Sequence, residues 1–190
     1  MIYPYDEAKF QEHLAMLRHP KYKRDDAHQL RLDLRWDGDY PGESTAIVEL
    51  LSPWEGKEEL LRNTLGFITG NIGALYEATL AAMLPVFGPA GVGSNTEQGP
   101  VKTKADLHKA RDPQDVIRMV FIKPDDVKGD IAVFSLLTQL RYEYEAPEDG
   151  CEFVFDHNKV IFWGDGNMGQ HLYDYADDFW GGTGCEFLQG

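Results

Sequence analysis

The sequence predicts an α+β fold: a mainly antiparallel sheet with a long or kinked helical region packed on one face. Three observations predict it. The run "LRLDLRW" alternates strictly, with Leu30, Leu32, Leu34 and Trp36 on one side and charges on the other, as a half-buried strand does. The stretch from Ser52 to Gly88 carries an apolar stripe at helical spacing. Strand-like runs gather before and after that stretch without regular βαβα alternation.

The elements follow in order. Asp6 is a helix cap, and Phe10, Leu14 and Leu17 recur at i, i+4 and i+7, so a first helix is expected, stopped by Pro20. "KYKRDDAH" reads as a charged loop, the strand "LRLDLRW" follows, and "DGDYPGES" is rich in turn formers before a second strand, "TAIVELL". Ser52 and Pro53 form a helix start signal. Leu61, Leu65, Ile68, Ile72, Leu75, Thr79 and Met83 then hold one face. Gly66, Gly70 and Gly73 weaken that helix by about 1 kcal/mol each relative to alanine. A kink, or two helices meeting near Gly70, is therefore expected, with Pro85 as the stop. Residues 88–104 read as a long polar loop.

The second half reads as sheet. "VIRMVFI" is apolar and β-branched, and "DIAVFSLLT" suits either a strand or a helix. "LRYEYEA" alternates, while "CEFVF" and "VIFWG" flank the turn-forming "DHNK"; these last three runs are expected as an antiparallel meander. The expected core includes Leu32, Leu34, Leu61, Leu65, Ile68, Ile72, Val120, Phe153, Phe155, Ile161 and Trp163. The 190 residues read as one domain over 1–190: an N-terminal helix and charged loop over 1–29, the long loop over 88–104, and an acidic C-terminal segment over 170–190.

Charge is the strongest global signal. The net charge is −14, and the stretch from Glu143 to Gly190 alone holds eleven acids against the single base Lys159. Such a field repels nucleic acid and anionic membranes and attracts basic partners. The N-terminus lacks the basic and apolar regions of an export signal, and the two cysteines, Cys151 and Cys185, form no metal-type cluster, so a cytoplasmic location is expected.

Gly164-x-Gly166-x-x-Gly169 matches the dinucleotide fingerprint in spacing alone. The strand before it closes an antiparallel hairpin, only 21 residues follow, and Asp165, Asp174, Asp177 and Asp178 crowd the place a pyrophosphate would take. The glycines read instead as a turn. "GPAGVGS" lacks the Gly-Lys-Ser/Thr ending of a phosphate loop.

Leu172, Tyr175, Ala176 and Phe179 suit the buried face of a short terminal helix. His171, Asp174 and Asp178 share its other face at metal-compatible spacing, with Asp37 or Asp39 as candidate further ligands for a metal-assisted hydrolase. A solvated acidic face is the simpler reading, so no metal is assigned. His13 and His108 show no evident partner in the linear sequence, and Cys151 near His157 is a cross-strand coincidence rather than a dyad. No catalytic residue and no cofactor are expected.

The segments Tyr142–Glu145, Glu148–Gly150, Cys151–Phe155 and Val160–Gly164 give the order strand, acidic turn with glycine, strand, short turn, strand. That order resembles the small bacterial α+β domains that sit beside polymorphic toxins as immunity proteins. The match covers about a third of the chain, and "YEAPEDG" stands where the family has a Trp-Asp before its turn. The resemblance implies a binding role and carries over no active-site residue. With the charge, it gives the expectation of an acidic, non-enzymatic protein that binds a basic partner such as a toxin nuclease. Tyr173, Asp174, Asp177, Asp178 and Trp180 are the candidate contact residues: aromatic anchors among steering charges. An acidic housekeeping or assembly domain is the alternative.

Overall fold

A computed structural model describes residues 3–20, 23–24, 27–36, 38–87, 95–96, 99–109, 116–138, 150–165 and 172. The element order is α1 (Glu7–Arg18), β1 (Lys23–Arg24), β2 (Ala27–Trp36), β3 (Gly42–Leu50), α2 (Glu58–Phe87), β4 (Asn95–Thr96), β5 (Gly99–Pro100), α3 (Lys104–Lys109), β6 (Ile117–Lys128), β7 (Ile131–Thr138), β8 (Cys151–Asp156) and β9 (Lys159–Asp165). Seven strands form one sheet in the order β1-β2-β3-β6-β7-β8-β9. Every neighbouring pair is antiparallel except β3 and β6, where Ile47 lies opposite Met119 in a parallel ladder. A parallel pair cannot be joined by a hairpin, and α2 lies within the crossover that this pairing requires. The fold is α+β, mainly antiparallel, with the long helix on one face.

Alternation sorts the strands into two faces. Leu30, Leu32, Leu34, Ala46, Val48, Leu50, Val120, Ile122, Phe134, Leu136, Phe153 and Phe155 are buried in one core with Phe10, Leu14 and Leu17 of α1 and the α2 stripe. Cross-strand aromatic pairs stiffen this face. Phe134 lies in register with Phe155, their rings stacked at 5.3 Å, and Phe153 with Trp163 at 5.5 Å. On the opposite face, Met119, Phe121, Val133, Leu137, Val154, Phe162 and Leu172 form a second buried cluster. Toward β2 and β3 the same face becomes polar and exposed, as at Arg31, Asp33, Arg35 and Thr45.

Local signals account for the first helix. The Asp6 side chain accepts from the Lys9 N–H at 2.8 Å, and α1 ends at Arg18, just before His19 and Pro20. The long helix departs from expectation at three points. It starts at Glu58 rather than at Ser52–Pro53, because Gly56 has φ +79°, which no helix accommodates. It runs through Gly66, Gly70 and Gly73 as one helix. At Gly66 the missing side chain has a use: a Cβ there would stand 2.8 Å from the Tyr3 carbonyl oxygen, so glycine lets the N-terminal segment lie against the helix. The helix also passes Pro85 and ends at Phe87, because a proline so near the C-terminus leaves most of the ladder intact.

Four other expectations change. The charged loop shortens, since β1 and the start of β2 pair within it. The 88–104 loop contains the small ribbon β4–β5 and runs up to α3. The ambiguous run from Ile131 is a strand whose residues are buried on both sides. The "DHNK" loop tightens to His157 and Asn158, with His157 in the left-handed region at φ 53°. The alternating run at 140–145 lies outside the described residues. Of the expected core, Ile161 and Trp163 are only partly buried.

α2 is long and apolar enough to cross a bilayer by composition, and 44% of its apolar window is buried inside the domain. Leu61, Leu65, Ile68, Ile72 and Leu75 belong to the core, which is the burial a central helix of a packed domain has.

Candidate functional site

The candidate contact residues Tyr173, Asp174, Asp177, Asp178 and Trp180 lie outside the described residues, as do His171 and Asp37. Leu172, immediately before them, is described and is fully buried in the second apolar cluster. Its backbone N–H donates to Glu152 Oε1 at 3.2 Å, and the Ser135 hydroxyl donates to the same oxygen at 2.6 Å. Glu152, Ser135 and Leu172 are all wholly buried. The alternation of β7 and β8 turns Ser135 and Glu152 to the second face, where they lie in adjacent strands two residues apart in register. A carboxylate there would be costly without donors, and these two hydrogen bonds offset that cost. Glu152 thereby holds Leu172, the residue that precedes Tyr173 in the sequence. Linear reading counted Glu152 only as one acid among many, because nothing in the spacing tells a buried carboxylate from a solvated one.

A cleft of about 670 Å³ lies between α1 and β2, bordered by Tyr5, Lys9, Glu12, His13, Arg31 and Asp33. Helical periodicity turns His13 toward the sheet one residue before Leu14, and its side chain is buried. The Tyr5 hydroxyl lies 3.3 Å from His13 Nδ1, which supplies the partner that the linear sequence did not show. Burial, and then the carboxylates of Asp6 and Asp33, push the Tyr5 phenol up, far from ionisation. Burial also pulls the His13 imidazole down, against opposing contributions from Glu12 and a hydrogen bond with the Arg31 backbone. At neutral pH the pair is therefore phenol and neutral imidazole, sharing one hydrogen bond between the Tyr5 hydroxyl and Nδ1. That is a strut tying the N-terminal segment and α1 to the sheet edge, not an ionised nucleophile with its base.

A smaller hollow, about 200 Å³, is bordered by Trp36, Asp39, Tyr40, Tyr76 and Glu77. Here too a histidine finds a partner: Tyr76 Oη is 2.8 Å from His108 Nδ1. The Tyr40 ring lies 5.2 Å from the His108 ring, and Lys104 Nζ meets Glu77 Oε2 at 2.5 Å. These contacts fasten α3 to α2. Spacing offers no hint of them, since Tyr76 and His108 are 32 positions apart.

Among the described residues, no group of three His, Cys, Asp or Glu side chains is arranged to hold a metal. Cys151 and His157 stand at opposite ends of β8 and its turn, so they form no dyad. β8 and β9 are antiparallel, so the strand leading into Gly164 belongs to a hairpin rather than to a βαβ unit. Gly166 and Gly169 lie outside the described residues. No family model, no curated protein and no solved structure matches the chain.

Proposed function

We propose that this chain is a non-enzymatic binding protein whose acidic C-terminal segment engages a basic protein partner, in the manner of a bacterial immunity protein acting in the cytoplasm on a toxin such as a nuclease. The observation that carries the reading is the anchored Leu172. Its burial and its bond to Glu152 tie the start of the acidic segment to the sheet. Asp174, Asp177 and Asp178 follow within six residues. Carboxylates starting from a fixed point form a more directional field than the same charges on a free tail. Tyr173 and Trp180 are the aromatic anchors that such charges would surround. The neutral Tyr5–His13 pair in the larger cleft also favours binding over catalysis.

The test is a pull-down at low ionic strength from the source cell, using the full chain and a variant with Asp174, Asp177 and Asp178 changed to Asn. The expected result is a basic protein retained by the wild type and lost from the variant. Recovery of no basic partner, or equal recovery by both proteins, would contradict the reading.

A further inference from the structure

We propose that a hollow on the exposed face of β2, β3 and β6, between Arg31 and Arg118, binds a small oxyanion, a carboxylate or a phosphate. None of the residues that border it belongs to the acidic segment, and it takes the opposite charge. The hollow is about 310 Å³ and is bordered by Arg31, Thr45, Ile47 and Arg118. Arg31 lies opposite Ile47, and Ile47 opposite Met119, so the two arginines straddle β3 about 10 Å apart at the backbone. Half-buried Ile47 forms the floor.

Two observations make this more than a pair of solvated side chains. The first is an irregularity in the register of β6 between Ile117 and Met119. Ile117 and Val120 belong to the helix-side core, while Met119 and Phe121 belong to the opposite cluster. Simple alternation would send Arg118 to the face opposite Met119. The bulge instead gives two successive residues to one face, so Arg118 joins Arg31 there. The second is the pattern of ion pairs. Of the five arginines whose side chains are described, Arg18, Arg35 and Arg62 each have a carboxylate within 4.0 Å: Glu58, Glu43 and Glu7. The remaining two line this hollow together. The acids that share their face on β2 and β3 have other partners, Asp33 at the rim of the hollow itself. Thr45 Oγ1 meets Asp33 at 3.4 Å, Gln29 Nε2 donates to Glu49 at 2.9 Å, and Glu43 takes Arg35. Two guanidiniums with no carboxylate within 4.0 Å among the described residues, on a chain of net charge −14, leave a local positive site where an external oxyanion accepts charge-assisted hydrogen bonds from both sides.

The test follows the arginine Nε–Hε resonances of the full chain by NMR during titration with inorganic phosphate and, separately, with succinate at constant ionic strength. The expected result is that Arg31 and Arg118 shift together along one saturating curve. R118Q should weaken the response of Arg31 by about tenfold or more, the loss of one charge-assisted contact. Tighter binding of phosphate identifies a phosphoryl ligand, and tighter binding of succinate a carboxylate. Linear, non-saturating shifts equal to those caused by chloride would overturn the proposal, as would an unchanged Arg31 curve in R118Q. So would a shift of both arginines, with no anion added, when Asp174, Asp177 and Asp178 are changed to Asn, since the chain's own carboxylates would then fill the site.

Discussion

The Leu172 N–H and the Glu152 carboxylate meet at 3.2 Å with neither residue exposed to solvent. A carboxylate buried in a sheet thus receives the backbone N–H of Leu172. Glu152→Ala leaves two buried donors, Leu172 N–H and the Ser135 hydroxyl, without their acceptor. The expected loss of stability is about 3 kcal/mol by urea unfolding. Glu152→Gln retains an acceptor oxygen and should lose less than half as much. Equal losses for the two variants would show that the oxygen acceptor is not what matters.

Two glycines of α2 should respond in opposite directions. Gly70 is exposed, and a Cβ there meets nothing within 4 Å, so Gly70→Ala should stabilise the protein by about 0.5–1 kcal/mol through helix propensity. At Gly66 the added Cβ would stand 2.8 Å from the Tyr3 carbonyl oxygen. Gly66→Ala should therefore destabilise by about 1–3 kcal/mol despite the same gain in propensity. Denaturation midpoints of the two variants, measured side by side, check the contrast.

Leu65 provides the reference for the core. It is wholly buried beneath the sheet, and Leu65→Ala should cost about 2–5 kcal/mol. A loss under about 0.5 kcal/mol in chemical denaturation would be incompatible with that burial.

Much of this fold was legible in the sequence because period encodes burial. The alternation of Leu30, Leu32, Leu34 and Trp36 specified both a strand and its buried side, and the Asp6 cap specified where α1 begins. The start of α2 was misread because Ser52–Pro53 looks like a helix signal while Gly56, four residues on, takes a left-handed conformation. The continuity of α2 past Gly66 depends on Tyr3, a contact across 63 positions that no local window contains. The same holds at the site. Acidity could be read from composition, but the pairing of Glu152 with Leu172, of Tyr5 with His13, and of Arg31 with Arg118 arises from sheet register and helix packing.

His13 predicts a pH dependence. Its folded-state pKa is pulled below the ordinary imidazole value of 6.5, mainly by burial. The unfolded chain therefore binds the proton more readily. The contribution to stability is complete above about pH 6.5 and declines as pH falls through the lowered folded value. Comparison of wild type and His13→Gln between about pH 7.5 and 5.5 isolates this group from the carboxylates, which titrate lower. The wild type should lose more stability than the variant on acidification. Parallel curves would mean that His13 is not held neutral.

Association kinetics with the recovered basic partner test the acidic segment as a steering surface most directly. Wild type and the Asp174→Asn, Asp177→Asn, Asp178→Asn variant are compared across a series of salt concentrations, after circular dichroism has shown that both are folded. The wild-type on-rate should fall steeply with added salt. The variant should associate about tenfold or more slowly at low salt and show a shallower slope, while the dissociation rates differ little. Equal on-rates and equal salt slopes for the two proteins would contradict the account.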